Sequence, residues 1–336
     1  MSDQGPGIIL VLGVTGAGKS YFINQLRKRP GTRTIAEGQS EVREGDNLNS
    51  ETVRCQAVEI IRDDDDDPRN FTIVDTPGFD DTSRPDGEVF AEISDHLATQ
   101  YASGYPLKGV LYLHKITDNK MTGSSGRYLS ILEEIIGTDA LKKTILVTTM
   151  WYMLRDEFYG EGLNRQQQLI DEFWRPLMDK GAEVRRFDGS PASASQIVSR
   201  LIGDDSEPVV LDHQREIIDQ GRTLEATSAG RTLLQQLEST KVEYTVKLAN
   251  LERELEYEID QNNRAGAREK EKQMDQVREM LKRVDRSLAK LKTQPGLRIK
   301  ERIGEVMTGA NATRAVHVLS AILNITWFIV QVVVGG

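Results

Sequence analysis

The amino-acid sequence predicts an α/β fold: a mostly parallel sheet with flanking helices, followed by a long helical, coiled-coil-like region and a hydrophobic C-terminal helix. A glycine-rich loop directly follows an apolar run at residues 8–12. Short apolar runs, among them predicted strands at residues 71–75 and 144–149, then alternate with amphipathic segments up to residue 202. Among these segments are predicted helices at residues 163–178 and 193–202. That alternation is the pattern of a parallel sheet. Beyond residues 203–208, leucines at helical spacing among charged residues take over. We therefore expect three regions, 1–205, 206–296 and 297–336.

The glycine-rich loop matches GxxxxGK[ST] at every fixed position. In such a loop, backbone N–H groups surround phosphates, the lysine reaches the β- and γ-phosphates, and the hydroxyl of the last residue ligates Mg²⁺ at a helix N-terminus. Lys19 is therefore a predicted catalytic residue and Ser20 a predicted metal ligand. The predicted nucleotide contacts in this stretch are Gly13, Val14, Thr15, Gly16, Ala17, Gly18, Lys19, Ser20 and Tyr21. A plain glycine turn is the alternative, and the preceding strand pattern disfavours it.

A second motif, DxxG, lies at residues 75–78, where an apolar run ends. Asp75 is predicted to hold the Mg²⁺ shell through water, and the Gly78 N–H is predicted to contact the γ-phosphate. Upstream, Thr52 begins another extended run at residues 52–62, and its hydroxyl and carbonyl are predicted to complete the Mg²⁺ and γ-phosphate contacts. A β-favouring threonine within a strand is the alternative for Thr52.

Several stretches resemble a known family. The glycine-rich loop, S-E-T-V-R-C-Q at residues 50–56 and D-T-P-G-F-D at residues 75–80 resemble the septin-related GTPases. That group includes the GIMAP-type immune GTPases and the chloroplast import receptors. L-H-K-I-T-D-N-K-M at residues 113–121 and T-T-M-W at residues 148–151 resemble poorly characterised fungal G-domain proteins more closely still. The resemblance spans residues 8–201 and implies a G domain that binds GTP or GDP with Mg²⁺.

The base-reading motif of most GTPases, NKxD, is missing. T-T-M-W stands in its place after the apolar run at residues 144–147. Guanine specificity is therefore implied by the family resemblance alone. We predict that Thr149 and Trp151 contact the nucleotide, with Trp151 stacked on the purine. A tryptophan in the core is an equally good explanation. The resemblance places the final base-contacting loop at residues 188–190.

Hydrolysis is predicted to be slow, because Phe79 follows Gly78 where Ras-like enzymes carry a water-orienting glutamine. The family resemblance implies that two G domains pair across their nucleotides to activate it, so we expect a homodimer. Two alternative functions are an ATP-using, kinase-like P-loop enzyme and a nucleotide-stabilised scaffold without turnover. The spacing between the glycine-rich loop and DxxG disfavours the kinase-like enzyme.

Charge and cysteine content limit the class of protein. The net charge is −9, yet residues 264–302 carry 13 Lys and Arg against 6 Asp and Glu. The residues before 264 are therefore acidic, which argues against general binding of nucleic acid. The basic segment at residues 264–302, the basic neck, suits anionic lipid or a protein partner. The solvated face of a charged helix is the alternative. A single cysteine, Cys55, excludes an intramolecular disulfide and is typical of a reducing compartment, so we expect a cytoplasmic protein.

The C-terminal third raises two further questions. Residues 262–266 interrupt the leucine spacing, which predicts either a helical hairpin folded back on the G domain or a stalk with a local break. An intermolecular coiled coil and intramolecular packing are both open. Residues 315–334 then form 20 uncharged positions, of which 15 are apolar. A helix of that length spans a bilayer core, so we predict a tail anchor on the cytosolic face of a membrane, with a packed helix as the alternative.

Overall fold

A computed structural model describes residues 7–33, 54–62, 70–81, 84–118, 123–203 and 207–308. In this part the chain forms a seven-stranded sheet in the order β2-β3-β4-β1-β5-β6-β7. The strands are β1 (Gly7–Gly13), β2 (Thr32–Arg33), β3 (Gln56–Arg62), β4 (Phe71–Asp75), β5 (Leu107–Lys115), β6 (Thr144–Thr149) and β7 (Glu183–Arg186). The neighbouring pairs β4–β1, β1–β5, β5–β6 and β6–β7 are parallel, whereas β2–β3 and β3–β4 are antiparallel. The predicted mostly parallel sheet is confirmed.

Strand β1 lies at the centre of the sheet and is buried on both faces, which explains its unbroken apolar run. It pairs with β4 on one side and with β5 on the other. In the β1–β4 register, Val11 lies opposite Asp75. The carboxyl ends of these two strands, and the two motifs that follow them, are therefore neighbours, as expected for a ligand site at the strand ends of an α/β sheet.

Helices flank the sheet and continue beyond it. They are α1 (Lys19–Arg27), α2 (Asp86–Ala102), α3 (Gly123–Ile136), α4 (Thr138–Leu141), α5 (Tyr159–Gln168), α6 (Arg175–Asp179), α7 (Pro191–Ser199), α8 (Asp212–Gln214), α9 (Ser228–Asp260), α10 (Arg264–Leu291) and α11 (Pro295–Thr308). A π-helical turn, Leu169–Trp174, joins α5 to α6 where the sequence predicts one regular helix. Pro176 follows this turn and lacks the N–H that a regular helix would use.

The chain after residue 206 continues into the same core. Val209 N donates a hydrogen bond to the carbonyl of Leu107 at 2.8 Å. Leu211 and Ile217 are fully buried. His213, also fully buried, lies 2.8 Å from the Ser94 hydroxyl through its Nε2. The first residues beyond the predicted linker therefore pack on the sheet domain.

Helices α9 and α10 form an antiparallel hairpin that folds back on the sheet domain. The turn between them uses Asn262 in a left-handed conformation (φ 54°), and the Asn263 side chain accepts from Gly266 N at 3.1 Å to cap α10. Near its base, α10 packs against α2 and α9 against α3. Farther out, Leu251, Met274 and Val277 form a small cluster of their own. The folded-back alternative is the one observed, and the intermolecular coiled coil stays a prediction.

No helix in the described ranges, the last of which ends at residue 308, is long and apolar enough to cross a membrane. The predicted anchor at residues 315–334 and the predicted ligand Thr52 lie outside the described residues. The helical C-terminal part is confirmed up to α11, and the hydrophobic terminal helix stays a prediction.

Candidate nucleotide-binding site

The glycine-rich loop connects β1 to α1 and depends on glycine for its shape. Gly16 and Gly18 have φ angles of 77° and 85°, which side chains with a Cβ rarely adopt. At Gly13, an added Cβ would lie 2.5 Å from the Leu113 carbonyl oxygen. The glycines therefore allow the tight curve that a phosphate-binding loop requires.

Lys19 is folded against the loop it belongs to. Its Nζ donates to the carbonyl oxygens of Gly13 and Val14, both at 3.1 Å, and only 7% of the residue is exposed. Burial lowers the pKa of Lys19 to about 8, while the carboxylates of Asp75 and Asp81 oppose that shift. A phosphate would supply the negative charge that this desolvated ammonium group needs.

The glycine-rich loop and DxxG meet at a hydroxyl and a carboxylate. Ser20 Oγ donates to Asp75 Oδ2 at 2.7 Å, and Asp75 is fully buried. Within the described ranges, no group of three or more His, Cys, Asp or Glu residues could hold a metal ion by itself. Magnesium commonly takes only one or two protein ligands and completes its shell with water and substrate phosphates. The Ser20–Asp75 pair therefore fits Mg²⁺ bound together with a nucleotide.

The DxxG turn lies directly against the glycine-rich loop. Thr15 N donates to the Phe79 carbonyl at 2.8 Å, and a Cβ on Gly78 would lie 2.4 Å from Thr15 N. Thr15 Oγ1 is buried and has no hydrogen-bond partner among the described residues, which suits an added anion. Phe79 is 6% exposed and its ring stacks on Tyr128 with centroids 5.1 Å apart. The position that carries glutamine in Ras-like enzymes is therefore a packed apolar ring.

Sequence reasoning missed a second layer of contacts behind this turn. Arg283 on α10 donates to the carbonyl oxygens of Asp81 at 2.7 Å and Arg84 at 3.0 Å. The Ser287 hydroxyl, one helical turn later, accepts from Gly87 N at 3.1 Å. The hairpin therefore holds the backbone that follows DxxG. No sequence motif predicts these contacts, because they join residues about 200 positions apart and involve main-chain atoms.

Thr149, the first of the two predicted base contacts, is tied to the glycine-rich loop. Its Oγ1 donates to the Ala17 carbonyl oxygen at 2.9 Å. Met150 follows in a left-handed conformation (φ 62°). Its Cε lies 3.9 Å from the place that a Cβ on Gly18 would take. The turn after β6 is therefore fixed beside the loop, although it lacks NKxD.

Trp151 is buried and does not face an open nucleotide site. It is 5% exposed, and its Nε1 donates to the Thr148 hydroxyl at 2.9 Å. The Arg186 guanidinium covers its ring at 3.9 Å. These are the surroundings of a core tryptophan, the second of the two explanations given above. Its stacking on a purine stays a prediction.

Tyr152 and Tyr21 form an aromatic pair at the edge of the site. Tyr152 is 51% exposed, and its ring centroid lies 5.4 Å from that of Tyr21. The Tyr21 hydroxyl donates to the Gly189 carbonyl at 3.2 Å. Tyr21 thus points toward residues 188–190, the segment that the family resemblance assigns to the base. The sequence signal for Tyr152 is only its position next to T-T-M-W.

The chain matches a known protein family over part of its length. Residues 7–122 match the family model for septins, described as Septin. This segment contains the glycine-rich loop, Asp75 and Gly78. No curated protein matches the chain by sequence.

Among solved structures, similarity extends to several GTPases at low identity. Toc33 from Arabidopsis thaliana in complex with GDP and Mg²⁺ is 17% identical over 62% of this chain and 89% of that chain, with a TM-score of 0.45. The elongation factor SelB from Methanococcus maripaludis, solved with the GTP analogue GppNHp, is 11% identical over 62% of this chain and 36% of that chain, with a TM-score of 0.37. The signal recognition particle receptor SRb-GTP/SRX complex from Chaetomium thermophilum is 16% identical over 55% of this chain and 90% of that chain, with a TM-score of 0.32.

With TM-scores below 0.5, these structures add no weight to an assignment of activity. The septin match stands on its own, and the two motifs inside it come together in space at Ser20 and Asp75. Together they support a GTP-binding protein with a septin-like P-loop GTPase domain.

Proposed function

We propose that this chain binds GTP with Mg²⁺, hydrolyses it slowly, and acts as a nucleotide-dependent switch or dimerising scaffold. The observation that carries the proposal is the contact of Ser20 Oγ with Asp75 Oδ2 at 2.7 Å, because it joins the phosphate loop to DxxG at the place where Mg²⁺ is needed. Lys19 neutralises charge on the β- and γ-phosphates, and Gly78 N–H contacts the γ-phosphate. Ser20 and Thr52 would ligate the ion, and Asp75 would hold its shell through water. Bound Mg²⁺ would neutralise phosphate charge.

Competition between nucleotides tests the proposal. The affinity of the full-length protein for GDP and ADP, and for non-hydrolysable GTP and ATP analogues, is measured by calorimetry with Mg²⁺. We expect the guanine nucleotides to bind at least about tenfold more tightly, which corresponds to about 1.4 kcal/mol. Equal affinity for the adenine nucleotides would favour the kinase-like alternative. Tight binding of GTP without any phosphate release would favour the scaffold without turnover.

Slow hydrolysis and pairing of two copies belong together in this proposal. Phe79 is packed on Tyr128 and has no group that orients water. A second copy of the chain, facing the first across the nucleotides, would then have to provide the missing group. The resemblance to the septin-related GTPases supports such pairing. We expect the rate per molecule to rise with protein concentration, and a constant rate over a wide concentration range would contradict it.

We also propose that the C-terminal tail attaches the protein to the cytosolic face of an intracellular membrane. The support is the uncharged stretch at residues 315–334 and the basic neck before it. His317, Asn324 and Gln331 recur every seven residues in the tail, so pairing of two tails would hide them and bring two G domains together. Extraction of membranes with alkaline carbonate is the measurement. Full-length protein found wholly in the supernatant would contradict the anchor.

A further inference from the structure

The edge of the site beyond β6 presents one aromatic ring to solvent beside the phosphate loop. Tyr152 is 51% exposed, next to Tyr21, which directly follows Ser20. We propose that Tyr152 is the base-stacking residue of the nucleotide site. This inference rests on the proposed function, and it assigns to Tyr152 the stacking role that the sequence analysis predicts for Trp151.

The strand order indicates the side of the loop on which the base lies. Asp75 is the last residue of β4 and Gly78 follows this strand, which lies on one side of β1, so Mg²⁺ and the γ-phosphate belong on that side. The rest of the nucleotide then extends to the other side of β1, over the ends of β6 and β7. Ligands of open α/β sheets bind beyond the carboxyl ends of the strands. The turns after β6 and β7 carry Tyr152 and Gly189.

The turn after β6 is held so that Tyr152 stays at this position. Thr149 Oγ1 is bonded to the Ala17 carbonyl, which fixes the start of the turn against the loop. Met150 then takes a left-handed conformation, which redirects the chain. Three residues after Thr149, the ring of Tyr152 lies against Tyr21 with an interplanar angle of 32°. Because the Tyr21 hydroxyl is itself bonded to Gly189, the ring beneath Tyr152 is fixed before any ligand arrives.

Trp151 lacks the freedom for the same role. Its N–H is bonded to Thr148, and the Arg186 guanidinium covers its ring. Arg186 is held in turn by hydrogen bonds to Tyr159 and Gln166 at 2.9 and 2.6 Å. A base could stack on Trp151 only after this arrangement opened. Trp151 is therefore a positioning residue that supports the turn from below.

A stacked ring gives affinity without choosing among bases, because every base has a π-face. Stacking on Tyr152 should therefore strengthen the binding of GDP and ADP by the same factor. It should not affect a ligand that has phosphates and no base. Discrimination between guanine and adenine would come from other groups, so the ratio of the two affinities should stay constant when Tyr152 is changed.

The test measures the affinity of the full-length protein for GDP, ADP and inorganic tripolyphosphate, each with Mg²⁺, by calorimetry. For Tyr152→Ala and Tyr152→Leu, we expect GDP and ADP to bind more weakly by one common factor of about 5 to 150. Tripolyphosphate should keep its affinity within about twofold. Tyr152→Phe, which keeps the ring, should match the parent protein. The Leu variant retains an apolar side chain against Tyr21, so it separates loss of stacking from loss of folding.

Phe158→Ala is the matched control, since Phe158 is an aromatic residue of the same segment and 41% exposed. It should leave all three affinities unchanged. Unchanged GDP affinity in both Tyr152→Ala and Tyr152→Leu would overturn the proposal, as would an equal loss of tripolyphosphate in both. A changed ratio of GDP to ADP affinity in Tyr152→Phe would replace stacking by a hydrogen bond from the hydroxyl. A parent protein that binds ADP as tightly as GDP contradicts the guanine preference alone, because the common factor is still measured.

Discussion

The two ends of the candidate nucleotide site are built in different ways. The phosphate end, residues 13–20 with 75–78, is made largely of main-chain groups that glycines allow to approach one another. The base end, residues 148–152 with 188–190, is held together by side chains, which contact one another or a main-chain carbonyl. Few sequences allow main-chain groups to approach so closely, whereas many combinations of side chains can hold a turn in place. The phosphate end therefore matches a general motif, and the base end departs from one.

The largest expected effect is at the phosphate end, in Lys19→Ala. Loss of a charged partner that is buried against the bound anion costs about 2–5 kcal/mol, so GDP affinity should fall by about 30-fold to several thousandfold. Tripolyphosphate affinity should fall by the same factor, because Lys19 contacts no base. Calorimetry gives both values. Lys28→Ala, an exposed lysine just beyond α1, is the control and should bind as the parent does.

Gly78→Ala tests whether main-chain proximity matters as much as charge. The new Cβ would lie 2.4 Å from Thr15 N and 2.6 Å from Thr15 Cα, so the DxxG turn has to move away. We expect a loss of stability of about 1–3 kcal/mol and a larger loss of affinity for a GTP analogue than for GDP. Thermal unfolding and calorimetry measure the two effects. Gly126→Ala, where nothing lies within 4 Å of the added Cβ, should not destabilise the protein.

The pH dependence of binding also separates the two ends. Burial lowers the pKa of Lys19 to about 8 in the empty protein, and binding requires its charged form. Affinity for GDP should therefore be constant below that pKa and fall as pH rises through it, by about tenfold between pH 7 and 9. Tyr152→Ala should show the same pH profile at lower affinity. A profile that is flat up to pH 9 would contradict the role of Lys19.

The smallest effect is expected where the turn after β6 contacts the glycine-rich loop, at Thr149. Thr149→Val removes the hydroxyl that donates to the Ala17 carbonyl at 2.9 Å and also lies 3.3 Å from the His114 carbonyl. The volume changes little, and the cost in stability is about 0.5–1.5 kcal/mol. Nucleotide affinity should fall severalfold, because the turn that carries Tyr152 loses its tie to the loop. Thr144→Val is the matched control at the other end of the same strand, where the hydroxyl bonds the Ala140 carbonyl at 3.1 Å. It should lose similar stability and no affinity.

Acid should destabilise the whole sheet domain and not one end of the nucleotide site in particular. His213 and His96 are buried, and burial lowers their pKa values to about 3 and about 4. In the unfolded chain both histidines take up protons below about pH 6.5, so unfolding becomes easier as pH falls below that value. Thermal unfolding at pH 7 and pH 5 measures the loss. His213→Gln should flatten the dependence, and an unchanged dependence would assign it to other groups.

Much of the fold was predictable because periodicity reports burial. Strands β4 and β6 lie where their apolar runs predict them, at residues 71–75 and 144–149. The start of α7 was less well predicted. Pro191 occupies its first turn and Ser190 caps it, a signal of N-cap serine followed by proline that the sequence does contain. The π-helical turn before Pro176 could not be predicted, since it depends on packing as well as on the missing N–H.

In the candidate site too, the features set by local sequence were predictable and those set by packing were not. The neighbourhood of Ser20 and Asp75 was predictable from the two motifs, because parallel strands end at one edge of the sheet. The burial of Trp151 was not, because it depends on Arg186, which lies 35 positions later and belongs to another strand. Nothing local in the sequence distinguishes a ring that is covered from its neighbour that is exposed.

The two hydrogen bonds from Arg283 to the carbonyls of Asp81 and Arg84 connect the long hairpin to the segment just after DxxG, the turn that we propose contacts the γ-phosphate. Helix α9 has 33 residues and is therefore about 50 Å long, so the hairpin turn lies far from the sheet domain, against which the start of α9 packs. If GTP and GDP leave the DxxG turn in different positions, the base of the hairpin is held with different strength in the two forms. Coupling of this kind is reciprocal. A partner that pulled on the far end of the hairpin would then change the affinity for nucleotide without coming near it.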